Sequence, residues 1–167
     1  HLGGIDHVLN TYNFSGELLA SERRHTSPGN NVVISNTYQY DHVGRKRCSY
    51  QKTGTPNSAG VVSDELKVLV AELDYNEIGQ LKTKKLHNGL QSTSYTYNER
   101  GWLKGQTSPQ FSMALKYDDA VNGATAQYNG NIANQVFISN VENIFNYSYD
   151  KLNRLISGAA TGMSESL

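Results

Sequence analysis

The sequence predicts an all-β protein, an array of antiparallel β-hairpins built from a tyrosine-rich repeat. Tyrosine supplies 11 of the 167 residues, against 4 Phe and 1 Trp, and aromatic residues favour strands. A short motif that begins with Tyr recurs along the chain, with Tyr75, Tyr97 and Tyr117 at intervals of 22 and 20 residues. The residues before each copy alternate with a period of two, for example Tyr95-Thr96-Tyr97, which is typical of half-buried strands.

The repeat motif has seven positions: Tyr, Asp or Asn, two variable residues, Gly or Asn, a variable residue, and Leu or Lys. Two copies are weaker, because the one at Tyr117 lacks the Gly and the one at Tyr128 has its Gly early. Hairpin turns are predicted near residues 12–18, 40–46, 75–81, 97–103, 117–123, 128–132 and 149–155. The residues assigned to the motif are Tyr12, Gly16, Tyr40, Asp41, Gly44, Arg45, Tyr75, Asn76, Gly79, Tyr97, Asn98, Gly101, Tyr117, Asp118, Tyr128, Asn129, Gly130, Tyr149, Asp150, Asn153 and Arg154.

Positions 2 and 5 of the motif are predicted to shape the turn. An Asp or Asn that opens a type I turn accepts a hydrogen bond from the N–H two residues on. Gly at position 5 supplies the positive φ that a short hairpin loop needs. In the last copy Asn153 replaces Gly, and Asn is the non-Gly residue that best tolerates this conformation. We therefore expect Gly79→Val and Gly101→Val to be destabilising, and Asn153→Gly to be neutral or stabilising.

Three stretches between the copies need separate interpretation. Residues 53–61 are rich in turn-forming residues and are predicted to be an insertion loop. Residues 64–73 have the composition of a short helix, but they run directly into Tyr75, where the other copies have a strand, so a strand is favoured. Residues 131–135 are compatible with either a turn of helix or a loop.

The predicted core is thin. Hydrophobic residues make up 37% of the chain, below the roughly 45–50% of an average globular domain. Tyr is expected to take the place of Leu, Ile and Phe, because its ring packs while its hydroxyl stays in water. We expect the tyrosines to contact one another across neighbouring strands.

The sequence carries no pattern of a chemical site. The formal net charge is zero, whereas nucleic-acid binding needs a basic surface. Cys48 is the single cysteine, and the five histidines lack metal-ligand spacing. Asp41, Asp118 and Asp150 occupy equivalent places in separate turns, which favours a role in the turn over acid–base chemistry. We therefore predict no catalytic, cofactor-binding or metal site, no enzymatic activity, no nucleic-acid partner and no membrane span.

The motif resembles the YD repeat of Rhs proteins, of teneurins and of the cage components of insecticidal toxin complexes. Residues 40–45 and 149–155 carry the resemblance best, and residues 97–103 and 128–132 are similar to Rhs repeats of Bacteroidetes-type bacteria. The resemblance implies a curved sheet that winds as a β-spiral into a hollow shell around a toxin or part of a partner. Residues 1–167 would then be one fragment of a single repeat array.

This resemblance leads to an expected function. The chain would be a structural shell segment of a large exported or cell-surface bacterial protein that encloses or presents a toxin or other cargo. The start of the chain has neither Met nor the pattern of a signal peptide, so the export signal is expected outside this fragment. Further repeats, or a partner, are expected to pair with the open sheet edges. The alternative is a carbohydrate- or protein-binding module in which tyrosine rings stack on sugars.

Overall fold

The structure, a computed structural model, describes residues 4–63, 67–138, 142–160 and 163–166. Every regular element in these ranges is a β-strand paired antiparallel with its neighbour along the chain, which confirms the predicted array of β-hairpins. The chain forms two compact units, residues 1–92 and 93–167. In a repeat protein each hairpin contacts only its neighbours, so an array can divide into such units.

The first unit is an antiparallel meander in which each strand pairs with the next one along the chain. Its strands are β1 (Ile5–Tyr12), β2 (Leu18–Ser27), β3 (Asn30–Tyr40), β4 (Lys46–Gly54), β5 (Val68–Tyr75) and β6 (Leu81–Leu86).

The second unit follows the same plan, and the division between the units falls inside its first strand. From β7 onward, each strand again pairs antiparallel with the next. Its strands are β7 (Gln91–Tyr97), β8 (Leu103–Thr107), β9 (Ser112–Lys116), β10 (Asn134–Ile138), β11 (Glu142–Tyr149), β12 (Leu155–Ala160) and β13 (Met163–Ser166).

The structure assigns two of the stretches that the sequence left ambiguous, residues 64–73 and 131–135. Val68–Tyr75 is strand β5, in keeping with the strand favoured for residues 64–73, while residues 64–66 lie outside the described part of the chain. Residues 131–133 are irregular and Asn134 begins β10, so this segment contains no helical turn.

The weak copies at Tyr117 and Tyr128 do not form two hairpins. Strand β9 pairs directly with β10, so residues 117–133 make up one long connection in place of the predicted turns near 117–123 and 128–132. Neither copy has the full motif, and each therefore lacks part of what a closed turn needs.

The core is as thin as the composition predicts, and it lies next to the two long connections. Val62 belongs to the connection between β4 and β5, while Tyr117 and Ala133 belong to the connection between β9 and β10. A single sheet layer leaves both faces open, so only a chain segment folded over the sheet can exclude water from it. The buried apolar residues are Val33, Val62, Leu115, Tyr117 and Ala133.

Candidate functional site

The turns of the five strong copies share one hydrogen-bonding pattern, seen clearly around Asp41. The N–H of Asp41 donates to the carbonyl of Arg45 at 2.9 Å, and the N–H of Gly44 donates to the carbonyl of Asp41 at 3.1 Å. Oδ1 of Asp41 accepts from the N–H of Val43 at 3.0 Å and from that of Arg45 at 2.9 Å. The same two backbone hydrogen bonds close the turns at residues 13–17, 76–80, 98–102 and 150–154.

Position 5 has positive φ in each of these turns. The angle is 82° at Gly44 and at Gly101 and 88° at Gly79, and it is 61° at Asn153. The left-handed conformation thus explains both the glycines and the single Asn that replaces one of them.

Four of the motif tyrosines bond to the copy that precedes them in the chain. The hydroxyl of Tyr40 donates to the carbonyl of Leu18 at 2.8 Å, and Leu18 is position 7 of the preceding copy. We call this contact the tyrosine–carbonyl bond. It recurs from Tyr75 to the carbonyl of Lys46 at 3.0 Å and from Tyr117 to that of Leu103 at 2.8 Å. It recurs again from Tyr149 to the carbonyl of Ile132 at 2.9 Å.

The tyrosine–carbonyl bond differs from the water-exposed hydroxyls expected from the sequence. The hydroxyls of Tyr40, Tyr75, Tyr117 and Tyr149 each have a backbone partner. One signal could have pointed to this bond: position 1 is Tyr, and never Phe, in all seven copies that the sequence assigns. A ring needed only for packing would not require the hydroxyl.

The side chain at position 6 contacts the tyrosine of the next repeat. The guanidinium of Arg45 lies over the ring of Tyr75, 4.5 Å from its centre. The ring centres of Trp102 and Tyr117 are 5.1 Å apart. Such cation–π and aromatic contacts contribute about 0.5–1.5 kcal/mol each. Position 6 therefore reinforces the contact that the hydroxyl makes.

Position 6 also lies close to the glycine of the next repeat. A Cβ on Gly44 would be 2.6 Å from Oε1 of Glu17, and one on Gly79 would be 3.0 Å from Nη1 of Arg45. A Cβ on Gly130 would be 3.2 Å from the ring of Trp102. Glycine at position 5 consequently serves the approach of the neighbouring repeat as well as the turn.

The two weak copies together form one split repeat. Trp102 contacts Tyr117 and Gly130 in the way that Arg45 contacts Tyr75 and Gly79. Tyr117 therefore supplies position 1 and Gly130 supplies position 5, with an insertion between them. Ile132, two residues after Gly130, is then position 7. In agreement with this assignment, its carbonyl accepts the hydrogen bond from the hydroxyl of Tyr149, the next motif tyrosine.

Asp118 and Tyr128 do not have the motif roles that the sequence assigns to them. Oδ1 of Asp119, and not of Asp118, accepts from the N–H of Tyr117 at 3.1 Å, and Asp119 also pairs with Lys116. The side chain of Tyr128 is 65% exposed, and its backbone carbonyl accepts a hydrogen bond from Arg100. The insertion separates these residues from the turn they would otherwise form.

Two asparagines, one of them fully buried, hold the insertion against the sheet. Asn134, which is fully buried, accepts from the N–H of Val121 at 2.8 Å and donates to its carbonyl at 3.2 Å. It also donates to Oδ1 of Asn146 at 2.6 Å, and Asn146 donates to the carbonyl of Asn122 at 3.0 Å. A buried amide must have its partners, so this network fixes the position of residues 121 and 122.

The insertion loop at 53–61 contains a turn that the sequence analysis missed. Gly60 has φ of 76°, and Oδ1 of Asn57 accepts from the N–H groups of Ala59 and Val61, both at 3.0 Å. Pro56 stands where the other copies have Tyr. The spacing of Asn57 and Gly60 matches positions 2 and 5, and that spacing is the signal that would have identified the turn.

Asn153 is more than a substitute for glycine. Its Oδ1 accepts from Nδ2 of Asn129 at 2.7 Å and from Nδ2 of Asn131 at 3.2 Å. Asn153→Gly would relieve roughly 1 kcal/mol of backbone strain but would remove two hydrogen bonds worth about 0.5–1.5 kcal/mol each. The structure therefore predicts no gain in stability from this change, and a small loss measured by urea unfolding would agree with it.

A larger loss is expected when position 5 becomes β-branched. Gly79→Val would force valine to positive φ, and its side chain would meet Arg45, so we expect a loss of roughly 2 kcal/mol in the free energy of unfolding. Gly79→Asn is the matched control, because Asn occupies the same conformation at residue 153. Equal losses for Val and Asn would contradict the assignment of this turn.

Two turn carboxylates have lowered pKa values. For Asp150 the N–H and the guanidinium of Arg154 hold the pKa below its usual 3.8. For Asp41 partial desolvation opposes the shift, but hydrogen bonds from Arg45 and from the N–H of Val43 lower the pKa overall. Each carboxylate therefore contributes stability that is present above pH 3.8 and is lost as the pH falls through the lowered value.

Acid should accordingly weaken these two turns. We expect the melting temperature of the wild-type chain to fall more steeply below pH 3.8 than that of the Asp41→Asn/Asp150→Asn variant. Asn already occupies position 2 in the turns at Asn76 and Asn98, so the variant keeps its turns. Parallel pH profiles of the two proteins would exclude this source of acid sensitivity.

In the described ranges no group of three or more His, Cys, Asp or Glu side chains is placed to hold a metal ion. The described residues include no helix of the length and apolarity that a membrane span requires. Within the part of the chain that the structure covers, no buried side-chain polar atom lacks a hydrogen-bond partner.

Fold and contacts together define a β-hairpin repeat protein whose recurring residues hold neighbouring repeats together. Residues 75–110 match the family model described as RHS Repeat. This match covers one stretch of the chain, and it supports membership of the Rhs/YD-repeat family. The RHS repeat is a structural repeat, so the chain is a structural repeat segment of a larger protein. No curated protein matches the chain.

Proposed function

We propose that the chain is a wall segment of a shell, in which an RHS-repeat protein encloses or presents a toxin or other cargo. The observation that carries the proposal is the tyrosine–carbonyl bond, which passes from one repeat to the next. Because this contact joins one repeat only to its neighbour, it can recur along an array of any number of hairpins. It suits a long wall better than a self-contained domain.

Exposed apolar side chains support a wall that is covered on at least one side. The turns of the first unit lie at one end of its strands, because they join β1 to β2, β3 to β4 and β5 to β6. Phe14, Val43 and Ile78, at the tips of these turns, are 108%, 61% and 77% exposed. Apolar groups aligned in this way commonly mark an interaction surface. In a shell, neighbouring wall or cargo would cover them.

Export to the cell surface or beyond is part of the proposal, and it can be tested separately from the shell. An antibody against this chain should label intact producing cells or their medium, and protease added to intact cells should remove the cell-bound signal. Labelling only after lysis would contradict export. Electron microscopy of the purified parent protein should then show hollow particles. Solid or unclosed sheets would contradict enclosure.

Carbohydrate binding by the repeat tyrosines has less support. The hydroxyls of Tyr40, Tyr75, Tyr117 and Tyr149 are already bonded to backbone carbonyls. Arg45 and Trp102 lie against two of the rings. We therefore propose neither a glycan-binding function nor a catalytic one for these residues.

A further inference from the structure

Three Asn-Gly pairs in the chain differ in how firmly the asparagine side chain is held. They are Asn88-Gly89, Asn122-Gly123 and Asn129-Gly130, and the three asparagines are all exposed. Asn-Gly is the pair in which the following N–H can most easily reach the side-chain amide carbon, because glycine has no Cβ to obstruct it. The contacts of each asparagine therefore decide its reactivity.

The first and third pairs are restrained. Oδ1 of Asn88 accepts from the N–H of Leu69 at 2.8 Å. Asn129 is held at both ends of its amide, since Nδ2 donates to Asn153 at 2.7 Å and Oδ1 accepts from the N–H of Asn131 at 3.1 Å. Each of these side chains must break a hydrogen bond before it can turn toward the glycine N–H.

The second pair is free to react. Among the described residues the side chain of Asn122 forms no hydrogen bond, and neither does the N–H of Gly123. A Cβ built on Gly123 meets nothing within 4 Å, so the space around the pair is open. The backbone carbonyl of Asn122, by contrast, is bound by the buried network through Asn146.

We propose that Asn122 is a site of spontaneous modification, at which the chain converts an asparagine to isoaspartate or aspartate. The backbone nitrogen of Gly123 attacks Cγ of Asn122, a C–N bond forms, and the side-chain nitrogen leaves as ammonia. Water then opens the five-membered imide at either carbonyl. The proton of the Gly123 N–H goes to solvent base, solvent returns one proton to the departing nitrogen, and no oxidant, reductant or cofactor takes part.

The modification would weaken the hydrogen bonds that hold the insertion, residues 117–133, against the sheet. Isoaspartate adds one methylene to the main chain at residue 122, which moves the carbonyl away from Nδ2 of Asn146. Asn146 then loses an acceptor, and the network through Asn134 loses its outer partner. Chains that carry isoaspartate should therefore release residues 117–133 from the sheet, while the turns of the strong copies remain closed.

The test is peptide mapping of the whole chain after incubation at mildly alkaline pH, with all three pairs followed in the same sample. We expect Asn122 to be modified about five- to tenfold faster than Asn88, because each hydrogen bond to be broken slows the reaction by about that factor. Asn129 should be slower still. Asn122→Gln should suppress modification at residue 122, since its ring closure would give a six-membered imide.

A second variant separates the effect of hydrogen bonding from that of local sequence. Asn153→Gly removes the acceptor of Nδ2 of Asn129 and keeps positive φ at residue 153, so it should accelerate modification at Asn129 and leave Asn122 unchanged. Amide hydrogen exchange should rise over residues 117–133 only in the fraction that carries isoaspartate at residue 122. Equal rates at the three pairs, or no response of Asn129 to Asn153→Gly, would overturn the proposal.

Discussion

Tyr117→Ala is expected to lower the free energy of unfolding by about 3–5 kcal/mol, the range for removal of a large buried ring. Tyr117 is 6% exposed, and its ring contacts Trp102. Its hydroxyl donates to the carbonyl of Leu103. Alanine would remove the packing and the tyrosine–carbonyl bond together, at the junction between a strong copy and the split repeat. Urea unfolding followed by Trp102 fluorescence would report the loss directly.

Tyr128→Ala is the matched control. This tyrosine was assigned to the same motif by sequence, yet its side chain is 65% exposed, and we expect a change within about 0.5 kcal/mol, as at ordinary surface positions. Similar losses for Tyr117→Ala and Tyr128→Ala would mean that the two weak copies are separate repeats, contrary to the split repeat described above.

Asn134→Ala is expected to have the second largest effect, roughly 3 kcal/mol. The fully buried amide has partners at Val121 and Asn146. Alanine would leave the N–H of Val121 and the Oδ1 of Asn146 without this partner, while the carbonyl of Val121 would still accept from the N–H of Ala124. Each buried polar group left unsatisfied costs about 1–3 kcal/mol, although water entering the space would reduce the sum. Thermal unfolding of the variant provides the measurement.

Two further variants make the result specific. Asn134→Asp keeps the acceptor for the N–H of Val121 but loses the donor to Asn146, so hydrogen exchange should rise first around residue 122. Asn10→Ala changes an exposed asparagine on β1 and should have little effect. If Asn134→Ala were as mild as Asn10→Ala, the insertion would not depend on this network.

The hairpin array could be predicted from the sequence because its determinants are local. Position 2 bonds to backbone within four residues, as Asp41 does to Arg45, and position 5 needs positive φ, as Gly44 does. Both requirements act inside a single turn. They leave a residue preference at fixed spacing, which one sequence displays several times over.

The contacts between repeats were harder to predict because they join residues far apart in the chain. Tyr40 bonds to Leu18 and Tyr75 bonds to Lys46, and the acceptor in each case is a backbone carbonyl. A carbonyl is present at every residue, so the partner of the hydroxyl leaves no mark on the sequence. The split repeat was missed for a related reason, since the insertion separates Tyr117 from Gly130 and breaks the fixed spacing.

The hydroxyls of four motif tyrosines join a repeat to the preceding one, and Tyr→Phe variants test this contact most directly. Phenylalanine keeps the ring, so only the hydroxyl bond is lost. We predict that Tyr40→Phe, Tyr117→Phe and Tyr149→Phe each lower the free energy of unfolding by about 1 kcal/mol.

Tyr12→Phe and Tyr128→Phe complete the series, because these rings are 56% and 65% exposed and their hydroxyls have no hydrogen-bond partner among the described residues. They should change stability by less than about 0.5 kcal/mol. Urea unfolding of all five variants under one set of conditions gives the comparison. A clear separation of the two groups is the predicted result, and equal effects in both would contradict the tyrosine–carbonyl bond as the contact that holds the array together.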